Sequence, residues 1–194
     1  MRDALIVVDV QNDFCPGGSL AVPQGDAVVP VMNRYVRQAT GSGMAVFASR
    51  DWHPRETRHF AEFGGPWPVH CVQNTPGAEF HPQLRLPPEA RIVTTGTSAE
   101  DAGYSAFEGT LPDDASFPDE LRRLGVRRVH VGGLATDYCV RATVLDSLAA
   151  GFETFLLQDA SRPVDVSPGD GERAVDEMLA AGAQLETVDT FAAA

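Results

Sequence analysis

The strongest constraint on the fold is a repeating pair: a short aliphatic run that stops on polar residues, then a stretch with helical periodicity. Residues 4–8 are unbroken aliphatic and end at Asp9. A run that is apolar on both faces is predicted as a buried parallel strand. Residues 26–40 follow, with Val28, Met32, Tyr35, Val36 and Ala39 spaced for one helix face. Further strands are predicted at 44–48, 91–94, 129–131 and 152–157, and a weaker one at 183–187. Further helices are predicted at 117–124 and 138–150, stopped by Gly125 and Gly151, and at 168–181. The inner side of 138–150 is expected to carry Val140, Val144, Leu145 and Leu148; that of 168–181, Ala174, Met178 and Leu179. This alternation predicts an α/β fold, a parallel sheet between layers of helices. No linker or repeat divides the 194 residues, so one domain is expected over 1–194.

In such sheets ligands sit beyond the carboxyl ends of the strands. Three polar clusters fall there: Asp9, the pair Asp51 and His53, and Cys139. Cys139 follows a strand and a Gly132-Gly133 turn and is expected in the first turn of a helix, with Thr136 or Asp137 as N-cap. Unpaired N–H groups and the helix dipole there favour a thiolate, the nucleophilic form. Asp9, a carboxylate at the end of a buried strand, is the candidate base. The alternative reading is an inert buried cysteine, the role expected of Cys15 and Cys71.

Three of the five histidines, His53, His59 and His70, share one irregular stretch with Asp51. Some forty residues without regular structure, 49–88, suggest a functional excursion. Imidazole and carboxylate suit Zn, Fe or Mn. Spacing alone leaves open a merely histidine-rich loop. His130, inside a strand, is expected to be structural, and His81 lies outside the cluster.

The net charge of −12 gives no electrostatic footprint for nucleic acid or anionic lipid. No apolar run approaches the ~20 residues of a membrane helix. The first residues lead straight into a strand, so no signal peptide is expected. Three cysteines, an odd number, suit reduced thiols in a cytoplasm. A homo-oligomer is left open.

Six stretches carry a family resemblance. They are Asp9-Val10-Gln11-Asn12-Asp13-Phe14, Ser49-Arg50-Asp51-Trp52-His53-Pro54, Trp67-Pro68-Val69-His70-Cys71-Val72, Gly77-Ala78-Glu79-Phe80, Tyr104-Ser105-Ala106-Phe107 and Gly133-Leu134-Ala135-Thr136-Asp137-Tyr138-Cys139-Val140. In order and spacing they resemble the nicotinamidases of the isochorismatase-like cysteine hydrolase superfamily. The resemblance implies a six-stranded, mainly parallel sheet in a three-layer αβα sandwich. It implies hydrolysis of nicotinamide to nicotinate and ammonia, a reaction of NAD salvage, through a thioester on Cys139 with Asp9 as base. It also implies an oxyanion hole from the N–H groups of Ala135 and Cys139, with a cis peptide between Leu134 and Ala135. Phe14, Trp67, Tyr104 and Leu134 would bind substrate. Asp51, His53, His59 and His70 would hold one divalent metal, zinc first, iron or manganese otherwise.

One position departs from the pattern. The family carries a catalytic lysine where this chain has Thr95, nine residues before Tyr104, and the chain contains no lysine at all. An opposite charge within ~4–6 Å lowers a carboxylate pKa by about 1–3 units, and threonine brings none. Three expectations follow: a nicotinamidase that works without the lysine, a hydrolase of another small amide, or a nicotinamide-binding homologue with weak or no turnover. A fourth is a metal hydrolase in which metal-bound water attacks and Cys139 is passive.

Overall fold

The computed structural model describes residues 2–191. Six strands, β1 (Arg2–Val8), β2 (Ala45–Asp51), β3 (Arg91–Thr95), β4 (Val126–Leu134), β5 (Glu153–Arg162) and β6 (Gln184–Glu186), form an all-parallel sheet in the order β3-β2-β1-β4-β5-β6. Four helices cover it: α1 (Val28–Gly41), α2 (Phe117–Arg123), α3 (Arg141–Ala149) and α4 (Asp170–Ala180). Among the described residues no helix is long and apolar enough to cross a membrane.

Strand β1 shows why its sequence is aliphatic throughout. Leu5 and Val7 join one core with Val28, Met32 and Tyr35 of α1. Ala4, Ile6 and Val8 join a second core with Leu121 of α2, Val144 of α3 and Met178 of α4. Alternate side chains enter opposite faces of the sheet, so both parities must be apolar. The helix periodicity in 26–40 is met in α1, where Val28, Met32, Tyr35, Val36 and Ala39 are all buried.

Sequence order reverses between β1 and β4, the topological switch that opens a crevice at the carboxyl edge. Glycine makes the closest approach there. Gly133 has φ +136°, and a Cβ on it would lie 2.0 Å from the Val8 carbonyl oxygen. Only glycine tolerates both conditions.

Several expected boundaries and faces change. Gly132 and Gly133 do not end β4; they pair with Val7 and Val8, so the strand runs from Val126 to Leu134. Strand β5 likewise continues to Arg162, because Ser161 and Arg162 pair with Gly133 and Leu134 after a register shift. The helix expected at 138 begins at Arg141, preceded by a wide π-type turn over Thr136–Val140. Neither Thr136 nor Asp137 caps it. The inner face of α3 carries Thr143, Val144 and Ser147, while Leu145 and Leu148 are half-buried. The buried hydroxyls are satisfied: Thr143 accepts from the Ala106 N–H (3.1 Å), and Ser147 pairs with Thr154 (2.8 Å). In α4 Ala174 and Met178 are buried as expected, but Leu179 is exposed.

Candidate active site

The site is assembled at the carboxyl edge by the segment after β1. Asp9 ends the strand in a left-handed conformation (φ 48°) that non-glycine residues adopt at a cost. From there successive side chains reach separate parts of the chain. Gln11, fully buried, acts as a substitute strand partner for Asp51: its Nε2 donates to the Asp51 carbonyl (2.8 Å) and its Oε1 accepts from the Asp51 N–H (2.9 Å). The Asn12 amide donates to the Pro76 carbonyl at 2.8 Å. Asp13 accepts the N–H groups of Ser19 (3.1 Å) and Cys71 (2.8 Å). Phe14 then enters the pocket. One hexapeptide thus fixes the end of β2 and the chain beside His70.

The four expected metal ligands come together. Side-chain nitrogens of His53, His59 and His70 lie within 4.8 Å of one another. Asp51 Oδ2 is 3.4 Å from His53 Nε2 and 3.8 Å from His70 Nε2. Each ring is set by backbone. His53 is held by bonds to the Cys71 carbonyl and the Gln73 N–H (2.9 Å each). The His59 N–H donates to the Thr57 hydroxyl, which itself donates to the Ala99 carbonyl. His70 Nδ1 lies 2.7 Å from the Pro68 carbonyl, so that nitrogen carries the proton and Nε2 is left as a lone-pair donor. Gly96 (φ +65°) gives His53 its room: a Cβ there would stand 2.5 Å from the ring.

Two observations test whether these residues fit a metal, and they do. Both ring nitrogens of His53 are buried without a hydrogen-bond partner, a costly arrangement that a metal bond would relieve. Burial first, and then repulsion from His53 and His70, holds His59 down to about pKa 4 from 6.5. Burial also lowers His70, although its bond to Pro68 and the charge of Asp51 oppose the shift. Both shifts favour the neutral imidazole at His59 and His70, the form that ligation requires.

Cys139 lies across the crevice in the turn after β4. Its Sγ and carboxylate oxygens of Asp9 and Asp51 lie within 4.8 Å of one another, and all three residues are buried. The thiol thus stands beside the Asp9 carboxylate. Burial, followed by the field of Asp51, pushes Asp9 well above the ordinary carboxylate range; bonds from Ser49 and Cys139 pull the other way. Burial and the two aspartates raise the Cys139 thiol well above its usual value. Peptide Leu134–Ala135 is cis. Cys15 and Cys71 are buried free thiols, and His130 is buried against Glu186 at 2.6 Å.

Thr95 does face this group. Its hydroxyl lies 3.1 Å from the Arg50 carbonyl and 3.2 Å from Asp51 Oδ1. Neither Arg50 nor Arg141 compensates. The Arg50 guanidinium sits 4.0 Å over the Trp52 ring with Nε on Thr94, and Arg141 pairs with Glu177.

The pocket in front of Cys139 is lined by Phe14, Trp67 and Tyr104 of the expected binding set, together with His59, His70 and Asp51. The Trp67 indole N–H donates to Tyr104 OH at 2.8 Å. Leu134 is a correction. Its side chain is fully buried beside Gly25 in the core, and Ala135 takes its place in the wall. Leu20, Tyr138 and Val164 line the pocket without having been expected. Ser49 was missed as well; it donates to Asp9 Oδ1 at 2.6 Å. Its signal was available, because Ser49 is two residues before Asp51 on one strand and so shares its face.

Known proteins can be set against this geometry. The isochorismatase domain model matches residues 3–190. The chain is 42% identical to the nicotinamidase of Escherichia coli strain K12, over 95% of this chain and 94% of that one. It is 40% identical to the nicotinamidase/pyrazinamidase of Mycobacterium tuberculosis, over 94% and 97%. Among solved structures, the pyrazinamidase of Pyrococcus horikoshii in complex with zinc superposes with a TM-score of 0.89 at 48% identity, covering 96% of this chain and 99% of that one.

Proposed function

Because this chain belongs to the isochorismatase family, on its nicotinamidase branch, we propose that it hydrolyses nicotinamide to nicotinate and ammonia through a thioester on Cys139. The observation that carries the reading is the contact of Cys139 with Asp9 at the back of an aromatic pocket whose other wall is the His59, His70 and Asp51 cluster.

The pyridine ring lies among Phe14, Trp67 and Tyr104, with its carboxamide toward Cys139. Cys139 Sγ attacks the amide carbon while its proton passes to Asp9. N–H groups of Ala135 and Cys139 hold the oxyanion. The C–N bond breaks as Asp9 returns the proton to the leaving nitrogen, and ammonia departs. Water then attacks the thioester and gives its proton to Asp9. The C–S bond breaks, the sulfur is reprotonated, and nicotinate leaves.

His53, His59, His70 and Asp51 would hold a divalent metal, zinc in our reading. When bound, it supplies a Lewis-acid centre at the pocket wall and neutralises the charge that Asp51 otherwise directs at Asp9. Without a lysine, Asp9 must ionise with only Ser49 and the thiol to stabilise it, and Thr95 serves Asp51. We read this as a working enzyme whose thiol stays protonated until attack.

Ammonia and nicotinate release from nicotinamide by the purified protein, metal-free and loaded in turn with Zn, Mn or Fe, tests the proposal. Turnover that is lost in Cys139→Ala supports it. Turnover that survives Cys139→Ala assigns attack to metal-bound water instead. Tight nicotinamide binding without ammonia release would leave a binding protein.

A further inference from the structure

Asp137 sits in the same turn as Cys139. It is buried, and both of its carboxylate oxygens are taken by backbone of another segment. Oδ1 accepts the Val164 N–H and Oδ2 the Asp165 N–H, each at 2.9 Å. These residues follow β5. Asp165 is held in a left-handed conformation (φ 54°), and its own carboxylate accepts the Gly171 N–H in the first turn of α4 at 2.7 Å. Val164 lines the pocket beside Tyr138 and Cys139.

We propose that Asp137 is a positioning residue for substrate: by clamping residues 164 and 165 to the nucleophile turn, it fixes the Val164 wall and so sets which ring substituents the pocket accepts. The proposal rests on the amidase reading for its substrate. Its geometry follows from one fact about carboxylates: both oxygens accept, so two successive N–H groups can be held at once. An asparagine of the same shape keeps one acceptor and turns an NH2 toward the other N–H. The wall is then held by one bond and moves relative to Cys139.

The test is Asp137→Asn in the metal-loaded enzyme. KM for nicotinamide is expected to rise about tenfold, as for loss of one charge-assisted bond. The kcat value should stay within about threefold, the pattern of lost binding rather than lost chemistry. Preference for nicotinamide over a 6-alkyl pyridine-3-carboxamide should fall by a similar factor. Val164→Ala, which widens the wall directly, should reproduce that loss of preference, and Asp137→Glu should restore part of it. A variant that melts lower but keeps wild-type KM and substrate preference would overturn the proposal and leave Asp137 a structural staple. Nicotinate binding by calorimetry separates this from the amidase reading. A wild-type protein that releases no ammonia yet loses about tenfold in nicotinate affinity on Asp137→Asn would refute the amidase and uphold the clamp. Unchanged affinity would sink the clamp.

Discussion

At the N-terminal ends of the strands, Asp3 lies under the fork of Arg128, with Nε at 2.9 Å and Nη2 at 2.5 Å. Nearby, Glu120 of α2 pairs with Arg123 and with Arg91 at the start of β3, and Glu186 of β6 faces His130. At the C-terminal ends, Asp9, Asp51 and Cys139 crowd within 4.8 Å, and among the described residues no guanidinium is paired with them. The two ends hold similar buried carboxylates and treat them oppositely. A buried acid whose charge is matched serves structure, because removing the partner exposes a large penalty. A buried acid left unmatched has a pKa free to move, which suits proton transfer. A count of charged residues would not distinguish the ends; the placement of arginine does.

The largest effect that can break this contrast is at Asp9. Asp9→Asn is expected to cut ammonia release about 10³-fold, the scale of a lost general base. It is also expected to raise the melting temperature near pH 8. The sign follows from linkage. Asp9 has a folded pKa above its unfolded one, so the stability its neutral form contributes is lost as pH rises through the folded value, and asparagine has no such loss. A variant that melts lower would contradict the idea of an uncompensated charge.

At the opposite end, Arg128→Ala leaves Asp3 buried without its guanidinium, with His130 Nε2 nearby at 3.7 Å. Denaturant unfolding should show a loss of about 3 kcal/mol, with kcat/KM unchanged. A comparable loss of activity would show that the two ends are not separate.

Thr95→Lys supplies the cation that the C-terminal end lacks. It should increase kcat/KM about tenfold and move the acid limb of the pH–rate profile to lower pH, because a nearby positive charge favours the ionised Asp9. An unchanged profile would mean that the metal already provides the charge.

The smallest effect concerns the histidines. His59 has a folded pKa near 4 against 6.5 unfolded. Its neutral form therefore supports the metal-free fold above pH 6.5, and that support fades as pH falls toward 4, the reverse of the Asp9 dependence. Thermal melts of metal-free protein between pH 7 and 4 would show the slope, and His59→Gln should flatten it.

Much of this was legible in the sequence because it is carried by periodicity. The aliphatic run before Asp9 predicted a strand buried on both faces, and the spacing of Val28, Met32, Tyr35 and Val36 predicted the buried side of α1. The ends of β4 and β5 were not legible, since their pairing runs through Gly133 and Ser161, residues that locally signal a break. The inner face of α3 was hidden for a related reason: Thr143 and Ser147 are polar, and only tertiary partners make them tolerable inside. In the site, residues with reactive or ligating groups were readable, whereas supporting ones were not. Gln11 and Asp137 act through bonds to segments far along the chain, and nothing local to them announces the partner; Ser49 is the exception, since it shares a strand face with Asp51.

Gly133 gives a measure of how finely the site is spaced. Asp9 follows the end of β1 and Cys139 lies in the turn beyond β4, so the spacing of the proposed base and nucleophile depends on how closely these two backbones approach. Those backbones meet where Gly133 rests on the Val8 carbonyl, with no room for a methyl group. The spacing of the proposed base and nucleophile is therefore gauged by a hydrogen atom on one α-carbon, invisible to any inventory of catalytic side chains.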